Sequence, residues 1–147
     1  MNKEILFRGK RVDNDEWIEG YFLQLYRSER AFIVPKQFVQ RGILRMSGET
    51  PPKIISVEVI PETVGQFTGL TDKKGKKIFE GDIVKEWSSH WKTPLKIEII
   101  IYEVVCEYLG SLRLIRKTEY GEYSTPLYRS SVVEVIGNIY DNKELLR

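Results

Sequence analysis

Lys77-Ile78-Phe79-Glu80-Gly81-Asp82-Ile83-Val84-Lys85-Glu86-Trp87 is the stretch that decides the fold. Two runs rich in β-branched and aromatic residues are joined by Glu80-Gly81-Asp82, which leaves room for a turn and nothing longer. Such a join reads as strand, tight corner, strand, with Gly81 supplying a backbone angle that other residues resist. Ile97 to Val105 follows, with Ile99, Ile100 and Ile101 β-branched in succession. At nine residues it has the length of a buried strand, far short of the ~18 apolar residues of a membrane span.

The same texture extends outward in both directions. Ile5-Leu6-Phe7-Arg8 and Trp17 to Leu23 read as a hairpin around the turn cluster Asp13-Asn14-Asp15, whose short polar side chains bond their own backbone. Ala31 to Val34 is a further strand, stopped by Pro35. Ile54 to Ile60 alternates as a half-buried strand does. Pro61-Glu62-Thr63 suits a single helical turn. Thr71 to Lys76 is a strong turn, and Ser88 to Pro94 a polar loop. Leu112 to Ile115 and Val132 to Tyr140 are strands, and Glu119 to Thr125 is polar and aromatic. Lys143 to Leu146 is a short helical tail capped by Asp141 or Asn142. Ser47 to Pro52 is the most loop-like stretch. Gly65, Gly69 and Gly137 lie inside strand-like runs, as bulges and close approaches require. Eight or nine short strands without crossover helices predict an all-β, mainly antiparallel protein with at most short helical turns. A small barrel manages that many edges best.

Composition removes several classes of function. The 147 residues include 23 Lys and Arg against 21 Asp and Glu, a net charge of +2. No whole-surface field of the kind that draws a chain to nucleic acid or membrane follows from that balance. One Cys and one His exclude an internal disulfide and every multi-His or Cys-based metal motif. No export signal is visible, so a cytoplasmic location is expected and no membrane contact. Aromatics make up 12%, with eight Tyr, which suits pleated sheets and contact surfaces.

Two clusters are candidate sites. Lys73, Lys74, Lys76 and Lys77 form the densest basic run, read either as a hairpin tip for phosphates or as a solvated turn partly offset by Asp72 and Glu80. It is no phosphate loop, because Gly69 and Gly75 are one residue too far apart and Lys77 stands where Ser or Thr must hold magnesium. Trp87, His90, Trp91 and Lys92 form the second cluster, able to stack bases, to grip a partner, or to plug a barrel end. Cys106 reads as a buried, inert thiol. Asp13, Asp15 and Glu16 resemble part of a calcium loop but lack its spacing, so turn chemistry accounts for them. No catalytic constellation, cofactor motif or metal site emerges. Tyr102, Tyr108, Tyr120, Tyr123, Tyr128 and Tyr140 crowd the C-terminal half as interface residues do. If the long strand 97–105 lies at an edge, it invites dimerisation by sheet extension; if central, it does not.

Three blocks carry a family resemblance. Pro61 to Asp72 with Gly75-Lys76 and Ile78 to Val84 is similar to the central signature of the YopX family. Ile5 to Lys10 with Trp17 and Gly20-Tyr21 resembles its opening, and Val135 to Asn142 with Glu144-Leu145-Leu146 its ending. Lys74 departs from the family's turn, which more often has Asn before the Gly, and this implies a looser turn or one of another type. The resemblance implies a single domain over 1–147, with N-terminal strands and a variable loop over 1–60. Residues 61–147 would form an SH3-type small barrel. It implies a phage or prophage setting and carries no activity or functional residues. The expected function is a non-catalytic binding or regulatory module whose partner is another protein or a second copy. Nucleic-acid binding through 73–77 and 87–92 is the alternative, and a small hydrolase or transferase the distant one.

Overall fold

A computed structural model describes residues 4–25, 27–36, 55–89, 97–107, 111–127 and 132–147. It is all-β and antiparallel. Among the described residues eleven strands occur in chain order, more than the eight or nine expected, because Leu112 to Thr125 contributes a full hairpin. The chain divides into two compact units, Met1–Gln66 and Phe67–Arg147. Among the described residues no helix is long and apolar enough to cross a membrane.

In the first unit, β1 (Phe7–Lys10), β2 (Trp17–Gln24), β3 (Ala31–Pro35) and β4 (Val57–Val59) lie side by side in that order. The first residues of β5 (Gly65–Thr71) pair with β1. The β1–β2 turn is built as its sequence implies. Asn14 Oδ1 accepts the Glu16 N–H at 3.1 Å, Arg11 holds Asp13 in a two-point ion pair, and Asp15 takes φ 59°. Alternation on β3 buries Ala31 and Ile33 with Val59, and Phe7, Ile18, Phe22 and Val64 pack against them. The sheet then curls on itself. Ile60 N–H donates to Lys10 O at 2.8 Å and Val12 N–H to Glu58 O at 3.2 Å, so β4 is bonded to β3 on one side and to the end of β1 on the other. The expected helical turn follows at Pro61–Thr63, and Thr63 Oγ1 accepts the Lys10 N–H at 2.9 Å.

In the second unit, the remainder of β5 pairs with β6 (Lys77–Phe79) through a register shift at Gly69, which takes φ 81°. A five-stranded sheet follows in the order β10-β9-β8-β7-β11. Its strands are β7 (Asp82–Ser89), β8 (Ile97–Cys106), β9 (Leu112–Thr118), β10 (Gly121–Pro126) and β11 (Val133–Asn138). β7 runs on through Ser88 and Ser89, which the sequence places in a loop. β8 lies between β7 and β9 in the sheet order, so the long apolar strand is an inner one; it pairs with β7 over Ile97–Glu103 and with β9 over Glu103–Cys106. Ile78, Val84, Val104, Leu114, Leu127, Val133 and Val135 form the core.

The Glu80-Gly81 corner is as tight as its sequence demands. Gly81 takes φ 80°, donates to Val104 O and accepts from Ile139 N–H, each at 2.9 Å. The buried Asp82 carboxylate accepts the Phe79 N–H at 2.8 Å, closing the corner from inside. Gly137 sits at the β11 bulge under the Asn142 side chain. The tail Lys143–Leu146 forms, but Asn142 does not cap it, since Asn142 Oδ1 accepts the Asn138 N–H instead. Cys106 is half-buried rather than buried.

Candidate functional site

The basic turn is organised by an acid. Asp72 is 5% exposed. Its Oδ1 accepts the N–H groups of Lys74 at 2.8 Å and Lys76 at 2.9 Å, and its Oδ2 accepts the Val135 N–H of β11 at 3.0 Å. Asp72 N–H donates to Lys76 O and Gly75 N–H to Asp72 O, the pattern of a type I turn followed by a left-handed residue. That residue is Gly75, at φ 81°. Lys74 keeps an ordinary backbone angle, so its departure from the family turn loosens nothing. Burial works to raise the Asp72 carboxyl. The N–H groups of Val135, Lys76 and Lys74 outweigh it and hold the group below the usual carboxylate range.

Two of the lysines are ion-paired to β11 at the surface. Lys73 Nζ lies 3.0 Å and Lys74 Nζ 2.8 Å from the Glu134 carboxylate on β11, with Lys85 Nζ at 3.7 Å. Lys73 Nζ also stands 3.3 Å above the centre of the Trp87 ring and Lys85 Nζ 5.0 Å from it. The result is a cluster of lysines over one indole and around one carboxylate, in which attraction to the ring face adds to the ion pairs. Hydrogen bonds from Lys74 and Lys73, reinforced by the charges of Lys74 and Lys85, overcome desolvation and bring Glu134 down to about 2; Lys74 is raised in return. Neither group exchanges protons near neutral pH. Lys77 Nζ is 6.0 Å from the Phe67 ring centre.

The turn has a second consequence. Lys73 N–H donates to Val133 O at 3.1 Å while Asp72 accepts from Val135 N–H. These two groups belong to the outer edge of β11, so the basic turn closes one edge of the five-stranded sheet. Asp72 and Glu134 are the residues that sequence reasoning undervalued. Asp72 was legible as an offsetting charge within a strong turn. Glu134 had no signal, because it meets the turn only across 60 residues of chain.

Of the sequence candidates, the structure brings Lys73, Lys74 and Trp87 together with Lys85 and Glu134. His90, Trp91 and Lys92 lie outside the described residues, as do Tyr108 and Tyr128. Tyr102 is half-buried against the core, and burial raises its phenol. Tyr120 is 85% and Tyr123 58% exposed, at the turn and on the outer strand of the β9–β10 hairpin. Among the described residues no group of His, Cys, Asp and Glu is placed to hold a metal.

The Glu134 cluster has a pH signature. Its folded pKa lies below its ordinary value, so its stabilisation is present above about 4.5 and is lost as pH falls through about 2. Denaturation midpoints measured between pH 6 and pH 2 are expected to fall less steeply in Glu134→Gln than in the parent chain. Equal slopes in the two would contradict the cluster.

The family model described as YopX protein matches residues 6–147. No curated protein matches the chain. The crystal structure of protein EF1440 from Enterococcus faecalis is similar to it at 20% identity and a TM-score of 0.43, covering 98% of this chain and 99% of that one. A likeness of that strength carries no argument about site or role.

Proposed function

The chain belongs to the YopX family, and from that premise we propose that it is a non-catalytic binding module of phage or prophage origin. It acts in the host cytoplasm through contact with protein, on an SH3-type framework in which β7, β8 and β9 form a meander and β11 returns beside β7. One observation carries this reading. The lysines at the head of the basic run are turned onto Glu134 and Trp87, while the tyrosines of the β9–β10 hairpin face solvent. Phosphate binding needs lysines directed outward, and each one neutralised at home contributes less to counterion release. Tyrosine supplies a large contact area with one polar tip and little rotamer entropy to lose.

The test has two arms. Tagged protein is expected to retain a defined protein partner, and Tyr120→Ala with Tyr123→Ala is expected to lose it. Labelled single- and double-stranded oligonucleotides at low salt are expected to show no saturable binding. Saturable binding that weakens steeply with salt and is lost on replacing Lys73 and Lys74 by Gln would turn the reading to nucleic acid.

A further inference from the structure

The five-stranded sheet has two outer strands, and the chain treats them differently. On β11 the outward Val135 N–H and Val133 O are taken by Asp72 and Lys73. On β10 residues 121 to 124 are exposed. The direction of the β10 backbone groups follows from its pairing. Leu127 N–H donates to Leu112 O at 3.0 Å, and β10 continues that register as Thr125↔Leu114, Tyr123↔Arg116 and Gly121↔Thr118. In an antiparallel ladder, hydrogen-bonded pairs alternate with non-bonded ones. Residues 121, 123 and 125 therefore turn their N–H and C=O groups toward β9, and Glu122, Ser124 and Pro126 turn theirs outward.

We propose that β10 pairs antiparallel with β10 of a second copy of this chain, about a two-fold axis at Tyr123. The proposal rests on the protein-contact reading above and names the partner and the surface. Outward groups must meet outward groups, which restricts the register to a few choices. Glu122 opposite its own copy would set two carboxylates against each other. Ser124 opposite its own copy would bring Pro126, which has no N–H, into a bonded pair. The remaining compact register sets Glu122 against Ser124 of the second copy and Ser124 against its Glu122, each exchanging both hydrogen bonds. Tyr123 then faces Tyr123 at the non-bonded position, where side chains approach most closely and aromatic pairs stabilise best.

Three features fit this register. The edge carries no lysine or bulge to deter pairing. Glu122 has Lys117 within 3.9 Å, so it brings little uncompensated charge to the contact. Tyr123 and Thr125 share the face that holds a groove of about 330 Å³ lined by Leu114, Thr125, Leu127 and Val133, into which the second copy's tyrosine can lean.

Light scattering on the full chain is expected to give about twice 17.2 kDa at high micromolar concentration. Ser124→Pro removes an outward donor and spares the β9 ladder; Tyr123→Lys sets two charges at the axis. Each is expected to return the mass to the monomer with an unchanged far-UV spectrum. In a Cys106→Ser background, Tyr123→Cys is expected to oxidise to a linked dimer at least tenfold faster than Thr125→Cys, since only position 123 meets itself. A chain that stays monomeric throughout, a dimer that survives both edge variants, or equal cross-linking at 123 and 125 would overturn the proposal. A monomer that still captures a different protein through Tyr120 and Tyr123 would overturn it while leaving the protein-contact reading in place.

Discussion

Replacing Gly20 with alanine is expected to destabilise the first unit by about 3 kcal/mol or more, at the upper end for inserting a methyl group into a packed site. Gly20 is paired on both sides, with Phe7 of β1 and Pro35 of β3. A Cβ there would lie 2.1 Å from the Val34 carbonyl oxygen, 2.8 Å from its carbon and 2.9 Å from Ile33 Cγ2. The first two are backbone atoms, so no rotamer change relieves the clash. β2 and β3 must move apart, and with them the core of Ala31, Ile33 and Val59. Gly75→Ala is the comparison that isolates crowding from backbone angle. Gly75 has φ 81° with nothing within 4 Å of a Cβ, so its cost is expected near 1 kcal/mol, that of a left-handed angle alone. Chemical denaturation of the two variants checks both values. A Gly20→Ala cost no larger than that of Gly75→Ala would contradict the described β2–β3 contact.

Gly20 also marks where reading the sequence stops. The run Trp17 to Leu23 was legible as a strand from its aromatic and β-branched content, and β2 extends it by one residue. That a carbonyl from β3 presses on its middle depends on register between strands, which local pattern does not encode. Lys77–Phe79, Pro61–Thr63 and Lys143–Leu146 were legible to the residue, because a short apolar run or a proline sets their limits locally. β10 was not. Its residues alternate Glu, Tyr, Ser and Thr without an apolar face, as an outer strand with solvent beside it can. The position of β8 was equally out of reach, since centre and edge differ only in what lies alongside. At the site, the basic turn and Trp87 were legible as separate clusters. Their meeting required Glu134 and Lys85 to be brought beside them by the β7–β11 pairing, in which Glu134 stands opposite Lys85.

Asp72→Ala is expected to cost about 2 to 3 kcal/mol, because one truncation strands three backbone donors and one of them, Val135 N–H, is buried. Lys74 and Lys76 N–H lie in a turn that water can reach, so the loss concentrates at β11. Asp72→Asn is expected to lose less, since an amide oxygen can still serve one pair of donors. The parent chain's dependence on this carboxylate has a sign. The folded pKa is held below the ordinary one, so the stabilisation is full above the unfolded carboxylate range near ~4 and disappears as pH falls through the folded value. Asp72→Ala removes that part of the acid response. It also reopens the outer edge of β11, exposing Val135 N–H and Val133 O as a pairing template. A chain with one open edge can close as a dimer, whereas two open edges on one sheet permit open-ended addition. Asp72→Ala is therefore expected to form species larger than a dimer under conditions where the parent does not, and adding Ser124→Pro is expected to limit them again. Light scattering across that series checks the point; an Asp72→Ala variant that is destabilised yet no more associated than the parent would show that the turn supports β11 without guarding its edge.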